Sequence, residues 1–194
     1  MPGVRRDRPA ATDGRAGLLV RAADGDFGEL TQQAVWAVQK HNGLERDAVV
    51  GPITRAALDA GSVPAPVGGS GSRVEVHLAA QLLLVVRGGR TRRVLSTSTG
   101  SGEYYWLDGR RYRATTPTGS WRVYSTWSQG WQSGPLGPMW RPMYYDGGFA
   151  VHGSSSIPPW PASHGCSRLS TRAMDMLWST GYLQLGTRVG VVDA

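Results

Sequence analysis

The sequence predicts a mainly β domain with one short helix towards its end, preceded by a small all-α module. Three observations point that way. Hydrophobic residues make up 40% of the 194-residue chain, yet 27 glycines and 12 prolines punctuate it, which suits many short strands joined by turns. Apolar residues recur at helical spacing before residue 61 and alternate with a period of two from residue 73. Between the two regimes, residues 62–72 read SVPAPVGGSGS, a linker stiffened first by proline and loosened afterwards by Gly and Ser. The expected organisation is a polar, disordered segment 1–17, a helical module 18–61, a linker 62–72 and a β domain 73–194.

Each element has its own signal. Residues 31–41 set Ala34, Val35, Val38 and Trp36 on one stripe, and Asn42-Gly43 stops the helix. A second helix starts near Pro52, where proline is tolerated in the first turn, with Ala56, Ala57 and Leu58 inward. Residues 73–78 alternate, 81–87 are apolar, Gly88-Gly89 turns the chain, and 91–98 resume a strand, giving a meander. Trp121 and Tyr124 are expected in the core of the β domain. Tyr104, Tyr105, Trp106, Trp127, Trp131, Trp140, Tyr144 and Tyr145 crowd the middle of the chain. Aromatic faces stack on sugars and cover the alkyl parts of peptides, so this region is expected to furnish a cleft. Trp131 lies in the Gly/Ser/Pro-rich stretch 128–138, expected to be a mobile flap. Ser170 is an N-cap for a helix over 171–179, with Met174, Leu177 and Trp178 inward and Gly181 as its stop. Residues 187–192 close the domain as a strand.

Charge and cysteine usage narrow the function. The net charge is +7, and Lys40 is the only lysine, so arginine carries nearly all of it. A basic surface attracts an anionic polymer, or it is simply solvated. No nucleic-acid-binding motif is present, and no apolar run is long enough for a membrane span. No export signal is visible in the residues ahead of the module. His41 and His77 have no metal-ligand spacing, so neither a metal nor any other cofactor is called for. The single cysteine, Cys166, excludes an intramolecular disulfide. It sits in AVHGSSSIPPWPASHGCSRL, residues 150–169, with His152 and His164. A thiol attacks as thiolate and ionises unassisted only near pH 8.5, so a nearby imidazole turns it into a useful nucleophile. The alternative is an inert buried cysteine flanked by two loop histidines.

His152-Gly153, Ser163-His164-Gly165-Cys166 and Arg168 match the signature of the YkuD-type L,D-transpeptidases, the cysteine enzymes that cross-link peptidoglycan, and the chain resembles that family over roughly residues 73–193. Thr116-Pro117-Thr118-Gly119 matches the family's TPTG turn. Only nine residues, 154–162, separate the two parts of the signature, so the loop over the site is expected to be trimmed. The resemblance implies a YkuD-like β-sandwich with a short helix after the cysteine. It also implies Cys166 as nucleophile, His152 as its base, the Gly153 carbonyl as orienter of that imidazole, and backbone amides around His164, Gly165 and Cys166 as the oxyanion hole. Arg168 would pair with a stem carboxylate or form a structural salt bridge behind the site. His164 would support the oxyanion region or fix the loop, and Ser163 would bond within it. Ser163, Tyr145 and Trp131 join Arg168 as expected substrate contacts. Asp175 is expected to be solvated rather than part of a triad.

The implied activity is attack on residue three of a tetrapeptide stem, release of D-Ala, and resolution of the thioester by a diamino acid amine to give a 3→3 cross-link. Resolution by water, as in an L,D-carboxypeptidase, and a non-catalytic wall-binding protein are the alternatives. The text from Asp24 to Leu58 resembles a small helical peptidoglycan-binding module, through Asp24-Gly25, Phe27-Gly28, Gln39, Asp47 and Val50-Gly51-Pro52 among others. That module normally opens with another helix, for which little is seen before Leu19. The missing helix and missing export signal together imply a natural start upstream of Met1. Peptidoglycan is the expected partner, the cell wall the expected location, and a monomer the expected state.

Overall fold

The computed structural model describes residues 27–194. The expectations for residues 1–17, for a helix before Leu19 and for Asp24-Gly25 lie outside the described residues.

Two helices come first. Helix α1, Glu29–His41, starts two residues before the apolar stripe, because Gly28 is extended and Glu29 sits favourably in the first turn. It ends at the predicted stop, where the Asn42 side chain donates to the Val38 carbonyl at 2.9 Å. Helix α2, Pro52–Ala60, has proline in its first turn and Gly61 in the left-handed region at its end. It is shallow. Thr54 is its one buried residue and Ala56 is exposed rather than inward. Gln39 connects the two helices: its buried amide donates to Asp47 Oδ1 at 2.6 Å and the Val49 carbonyl at 3.2 Å, and its oxygen accepts from the Ala48 amide.

Twelve strands follow. They are β1 Arg73–His77, β2 Leu82–Arg87, β3 Arg90–Ser96, β4 Tyr104–Leu107, β5 Arg110–Arg113, β6 Gly119–Arg122, β7 Ser125–Thr126, β8 Trp131–Gly134, β9 Gly137–Asp146, β10 Phe149–Ser154, β11 Ser167–Ser170 and, after helix α3 (Thr171–Ser179), β12 Arg188–Val192. One sheet has the order β3-β2-β1-β12-β6, and the closing strand lies parallel to β1. The second has the order β11-β10-β9-β7, with β8 also on β9. Strands β4 and β5 form a separate hairpin.

The two sheets face each other across one core. Val74, Val76, Leu83, Val85, Val189 and Val191 from the first meet Met143, Tyr145, Val151 and Leu169 from the second, sealed by Met174 and Leu177 of α3. Ser170 caps α3 by accepting from the Ala173 amide. The other face of the first sheet is covered as well. Leu82, Leu84, Val86 and Val94 pack against Ala37 of α1, which explains why β2 is apolar at each of residues 82–86 instead of alternating. Tyr124 is not in the core: it is more than half exposed, with its hydroxyl donating to the Gly147 carbonyl.

Long-range hydrogen bonds fasten the helices to the strands. The Lys40 ammonium is buried and donates to the Gln81 carbonyl at 3.0 Å, Ser96 Oγ at 2.8 Å and the Thr97 carbonyl at 2.9 Å. Residues 62–72 are also tied down. Buried Glu75 accepts from the amides of Val67 and Gly68, and Arg73 donates to the carbonyls of Gly68, Gly69 and Gly71. Burial alone would raise the Glu75 carboxyl. Its amide, His77 and Arg73 donors outweigh that and hold it at about 2. The Gly/Ser stretch expected to be flexible is instead held against the first sheet.

Candidate active site

Strand register brings His152 and Cys166 together. Strands β10 and β11 run parallel with Val151 opposite Ser167 and His152 opposite Arg168, so Cys166, one step earlier, falls beside Ala150. Side chains alternate along a strand. Val151 and Leu169 point into the core, which sends His152, Cys166 and Arg168 to the opposite face. Cys166 and His152 are diagonal neighbours on that face. Tyr144 pairs with Ala150 across β9 and belongs to the same row, whereas Tyr145 is turned into the core and is 2% exposed. The expected substrate contact at Tyr145 is therefore corrected by one residue: parity gives the site face to Tyr144, whose hydroxyl donates to Gln132 Oε1 at 2.8 Å.

The imidazole of His152 is fixed in one tautomer. Its Nδ1 lies 2.9 Å from the Gly153 carbonyl, and a carbonyl only accepts, so Nδ1 carries the proton and Nε2 keeps its lone pair. His152 is buried. That burial, with the Arg168 guanidinium adding to it, outweighs the Gly153 bond and pulls the imidazole down to about 4. Burial likewise pushes the Cys166 thiol up, against the pull of the Ala150 backbone and of Arg168. At neutral pH the resting pair is a thiol and a neutral imidazole, not an ion pair.

The turn before Cys166 is tightly cross-braced. Ser163 is buried and its hydroxyl is committed within the turn, donating to the Cys166 carbonyl at 2.6 Å and accepting from the Gly165 amide at 2.9 Å. With the Gly165 amide engaged, the expected oxyanion donors reduce to the amides of His164 and Cys166. Gly165 has φ +139, and a Cβ there would lie 2.5 Å from the Phe149 ring and 2.9 Å from the Thr115 carbonyl oxygen. The Thr116 hydroxyl donates to the Gly165 carbonyl at 2.7 Å and accepts from the Gly100 amide. This brace went unassigned in the sequence, although the TPTG turn that carries it was legible. Behind the turn, Ser98 and Arg168 exchange backbone hydrogen bonds.

The remaining candidates are spread around the face. The His164 ring packs edge-on against Tyr105, with centroids 4.7 Å apart, and so points to the β4–β5 hairpin. Arg168 donates to the Ala162 carbonyl at 3.2 Å, and among the described residues it has no carboxylate partner, so the salt-bridge alternative is not what the structure shows. Trp131 opens β8, pairs with Trp140 and stacks edge-on with it at 5.4 Å. The stretch 128–138 is thus a paired hairpin rather than a loose flap. Asp175 is neither a triad member nor merely solvated: it accepts from Trp140 Nε1 at 2.9 Å and pairs with Arg141 at 2.7 Å, tying α3 to β9. His77 bonds to Glu75, and no cluster with metal-binding composition occurs among the described residues.

Residues 71–191 match the model of the L,D-transpeptidase catalytic domain, YkuD, and residues 15–58 match that of a peptidoglycan binding domain. The L,D-transpeptidase (residues 123–326) from Xylanimonas cellulosilytica is 54% identical, covering 91% of this chain and 87% of that one, with a TM-score of 0.88. An L,D-transpeptidase from Stackebrandtia nassauensis shares the fold at 22% identity, over 90% of this chain and 83% of that one, with a TM-score of 0.55. The catalytic domain of the E. faecium L,D-transpeptidase shares it at 21% identity, over 64% and 98%, with a TM-score of 0.50. No curated protein matches the chain.

Proposed function

Because the chain belongs to the YkuD family of L,D-transpeptidase catalytic domains, we propose that Cys166 and His152 carry out acyl transfer between peptidoglycan stem peptides. The observation that carries this is the shared face of β10 and β11, with His152 Nδ1 committed to Gly153 and Nε2 left as a base. Nε2 takes the thiol proton as Sγ attacks the carbonyl of residue three of a tetrapeptide stem. The S–C bond forms, the carbonyl electrons move to oxygen, and the amides of His164 and Cys166 stabilise the oxyanion. Losing one such donor costs about 10²–10³ in rate. The imidazolium then returns its proton to the leaving nitrogen, the C–N bond breaks, and D-Ala departs. The side-chain amine of a diamino acid on a second stem attacks the thioester and gives its proton to Nε2. The S–C bond breaks, and a 3→3 cross-link remains.

Arg168, on the same face and always charged, supplies donors for a stem carboxylate. Trp131, at the edge of β8, covers alkyl parts of the stem. Residues 73–194 act as the catalytic domain and residues 18–61 as the peptidoglycan-binding module, so the protein works outside the cytoplasm on the wall. Among the described residues no helix is long and apolar enough to cross a membrane.

Mass spectrometry of purified disaccharide-tetrapeptide incubated with the protein and with Cys166→Ala tests this reading. Cross-linked dimer and free D-Ala, both abolished by the substitution, are expected. Tripeptide without dimer would replace transpeptidation by hydrolysis, and unchanged substrate would remove the catalytic reading altogether.

A further inference from the structure

One charged group from the first helix reaches in behind the active-site turn. Lys40, in the last turn of α1, is 4% exposed, and no carboxylate among the described residues pairs with it. Burial pulls its ammonium down to about 7, with Arg46 adding to the effect. An apolar side chain of similar length would join α1 to the sheet without the cost of burying a charge. The ammonium supplies donors instead: the Gln81 carbonyl, the Ser96 hydroxyl and the Thr97 carbonyl all lie within 3.0 Å of Nζ. A deprotonated amine still donates to both carbonyls and accepts from Ser96, so these bonds do not depend on the charge.

Two of these acceptors begin chains of bonds that end at the Cys166 turn. Gln81 has φ +58, a backbone state that a non-glycine residue keeps only when its surroundings fix it, and both Lys40 and the Thr97 amide hold its carbonyl. Its side chain grips Thr99 twice, donating to Oγ1 at 2.6 Å and accepting from the amide at 2.9 Å. The Thr99 carbonyl accepts from the amides of Ala162 and Ser163 at 2.9 and 2.8 Å. Ser163 Oγ then donates to the Cys166 carbonyl. The second chain is shorter. Thr97 Oγ1 donates to the Arg168 carbonyl at 2.8 Å, and Ser98 and Arg168 exchange backbone bonds. The two chains meet the turn on either side of Cys166, and Thr97, Ser98 and Thr99 between them are all buried.

We propose that Lys40 is a positioning residue for the acyl-transfer site: reaching out of the helical module, it fixes the backbone at Gln81 and Thr97, and through them the turn that presents Cys166. Packed hydrogen-bond chains of this kind are a physical route by which one element sets the geometry of another. A misplacement of about 1 Å caused far from the chemistry costs on the order of 10² in rate, so a brace on the nucleophile's turn has a kinetic effect out of proportion to its distance. This role rests on the reading of Cys166 as nucleophile and deepens it, because a residue outside the catalytic domain then sets the geometry inside it.

The test is amide hydrogen exchange together with steady-state kinetics on the full chain carrying Lys40→Met, which keeps most of the length and apolar packing and removes the donors. Exchange at the Ala162, Ser163 and Arg168 amides is expected to speed up about tenfold, while the Val123 and Tyr124 amides, bonded to Thr187 and Tyr144, keep their rates. Turnover (kcat) is expected to fall about tenfold with KM within about twofold of the parent. Equal acceleration at all of these amides makes Lys40 a general stabiliser and overturns the proposal, as does unchanged exchange at 162, 163 and 168 or an unchanged kcat. Where Lys40→Met does not fold, Thr97→Val breaks the shorter chain with a side chain of nearly the same shape, and the Arg168 carbonyl keeps the Ser98 amide. Faster exchange at Arg168 and a severalfold lower kcat are then expected, and the absence of either overturns the proposal. Exchange is read without turnover, so a parent protein that forms no cross-link loses the thiol chemistry and leaves the brace standing.

Discussion

Buried His152 gives up its proton at about 4, well below the ordinary imidazole value, because burial penalises the charged ring and Arg168 adds to the penalty. The proposed base is therefore already neutral throughout the usual working range. Activity (kcat/KM) is expected to show no titration near pH 6.5 and to fall only as the pH approaches 4, which a pH–rate profile checks. Stability follows the same group. Between about 6.5 and 4 the unfolded chain binds the proton and the folded one does not, so unfolding free energy is lost as the pH falls through that window, on the order of 3 kcal/mol by its acid end. Denaturant titrations at pH 7 and pH 4.5 should separate, and His152→Gln should narrow the gap. Gly165→Ala is a harsher change. Its backbone conformation is strained for any side chain, and the new methyl meets Phe149 and Thr115. A stability loss of about 1–3 kcal/mol from strain is expected, with turnover down by about 10² as the turn shifts. Thermal melts and steady-state rates read the two effects separately. At this scale the sequence shows Cys166, His152 and the glycines around them. It does not show which of Tyr144 and Tyr145 faces the site, because a one-residue choice of face depends on pairing to β10.

Element by element, periodicity carries far. The β1–β3 meander, the Gly88-Gly89 turn, the Ser170 cap of α3 and the closing strand all stand where alternation and turn residues place them. Trp131 eluded that reading because Gly, Ser and Pro suggest a loop while a β-hairpin tolerates them beside its turn. The docking of α1 eluded it too, since the contacts join residues far apart in sequence. Gln33 donates to the Ile157 carbonyl at 3.2 Å and Arg46 to the Pro159 carbonyl at 2.8 Å, both in the loop that connects His152 to Cys166. Arg46→Ala removes a bond worth about 1 kcal/mol. The expected melting shift is small, about 2–4 °C, whereas turnover should drop severalfold if Cys166 is the proposed nucleophile, because that loop leads into it. Equal turnover in the two proteins would show the loop to be held without the helix.

For the molecule as a whole, the amino-terminal helices and the strands share one surface. Leu82, Leu84, Val86 and Val94 are shielded by α1, so deleting residues 1–61 uncovers an apolar sheet face. The truncated protein is expected to melt well below the full chain or to aggregate; an unchanged melting temperature would mean that the helices are a mere tether. Leu84→Ala in the full chain should cost about 2–5 kcal/mol, as a cavity in a face closed on both sides. Composition and the Pro/Gly-rich stretch divided the chain into two parts, but they carry no information on how tightly the parts adhere. That adhesion resides in side-chain tips such as that of Lys40, whose partners are 41 to 57 residues away.

The anchoring of Lys40 has a chemical consequence. A thioester intermediate that waits for a primary amine is open to any amine within reach, including those of the protein that made it. The only lysine of this sequence is sealed between helix and sheet, and the rest of its positive charge is arginine, whose guanidinium does not compete as an acyl acceptor at neutral pH. If the proposed thioester forms, the described surface offers it no side-chain amine, so the acyl group would be left for an external acceptor and self-labelling avoided; intact-mass measurement after incubation with donor alone should show no acyl group transferred to Lys40.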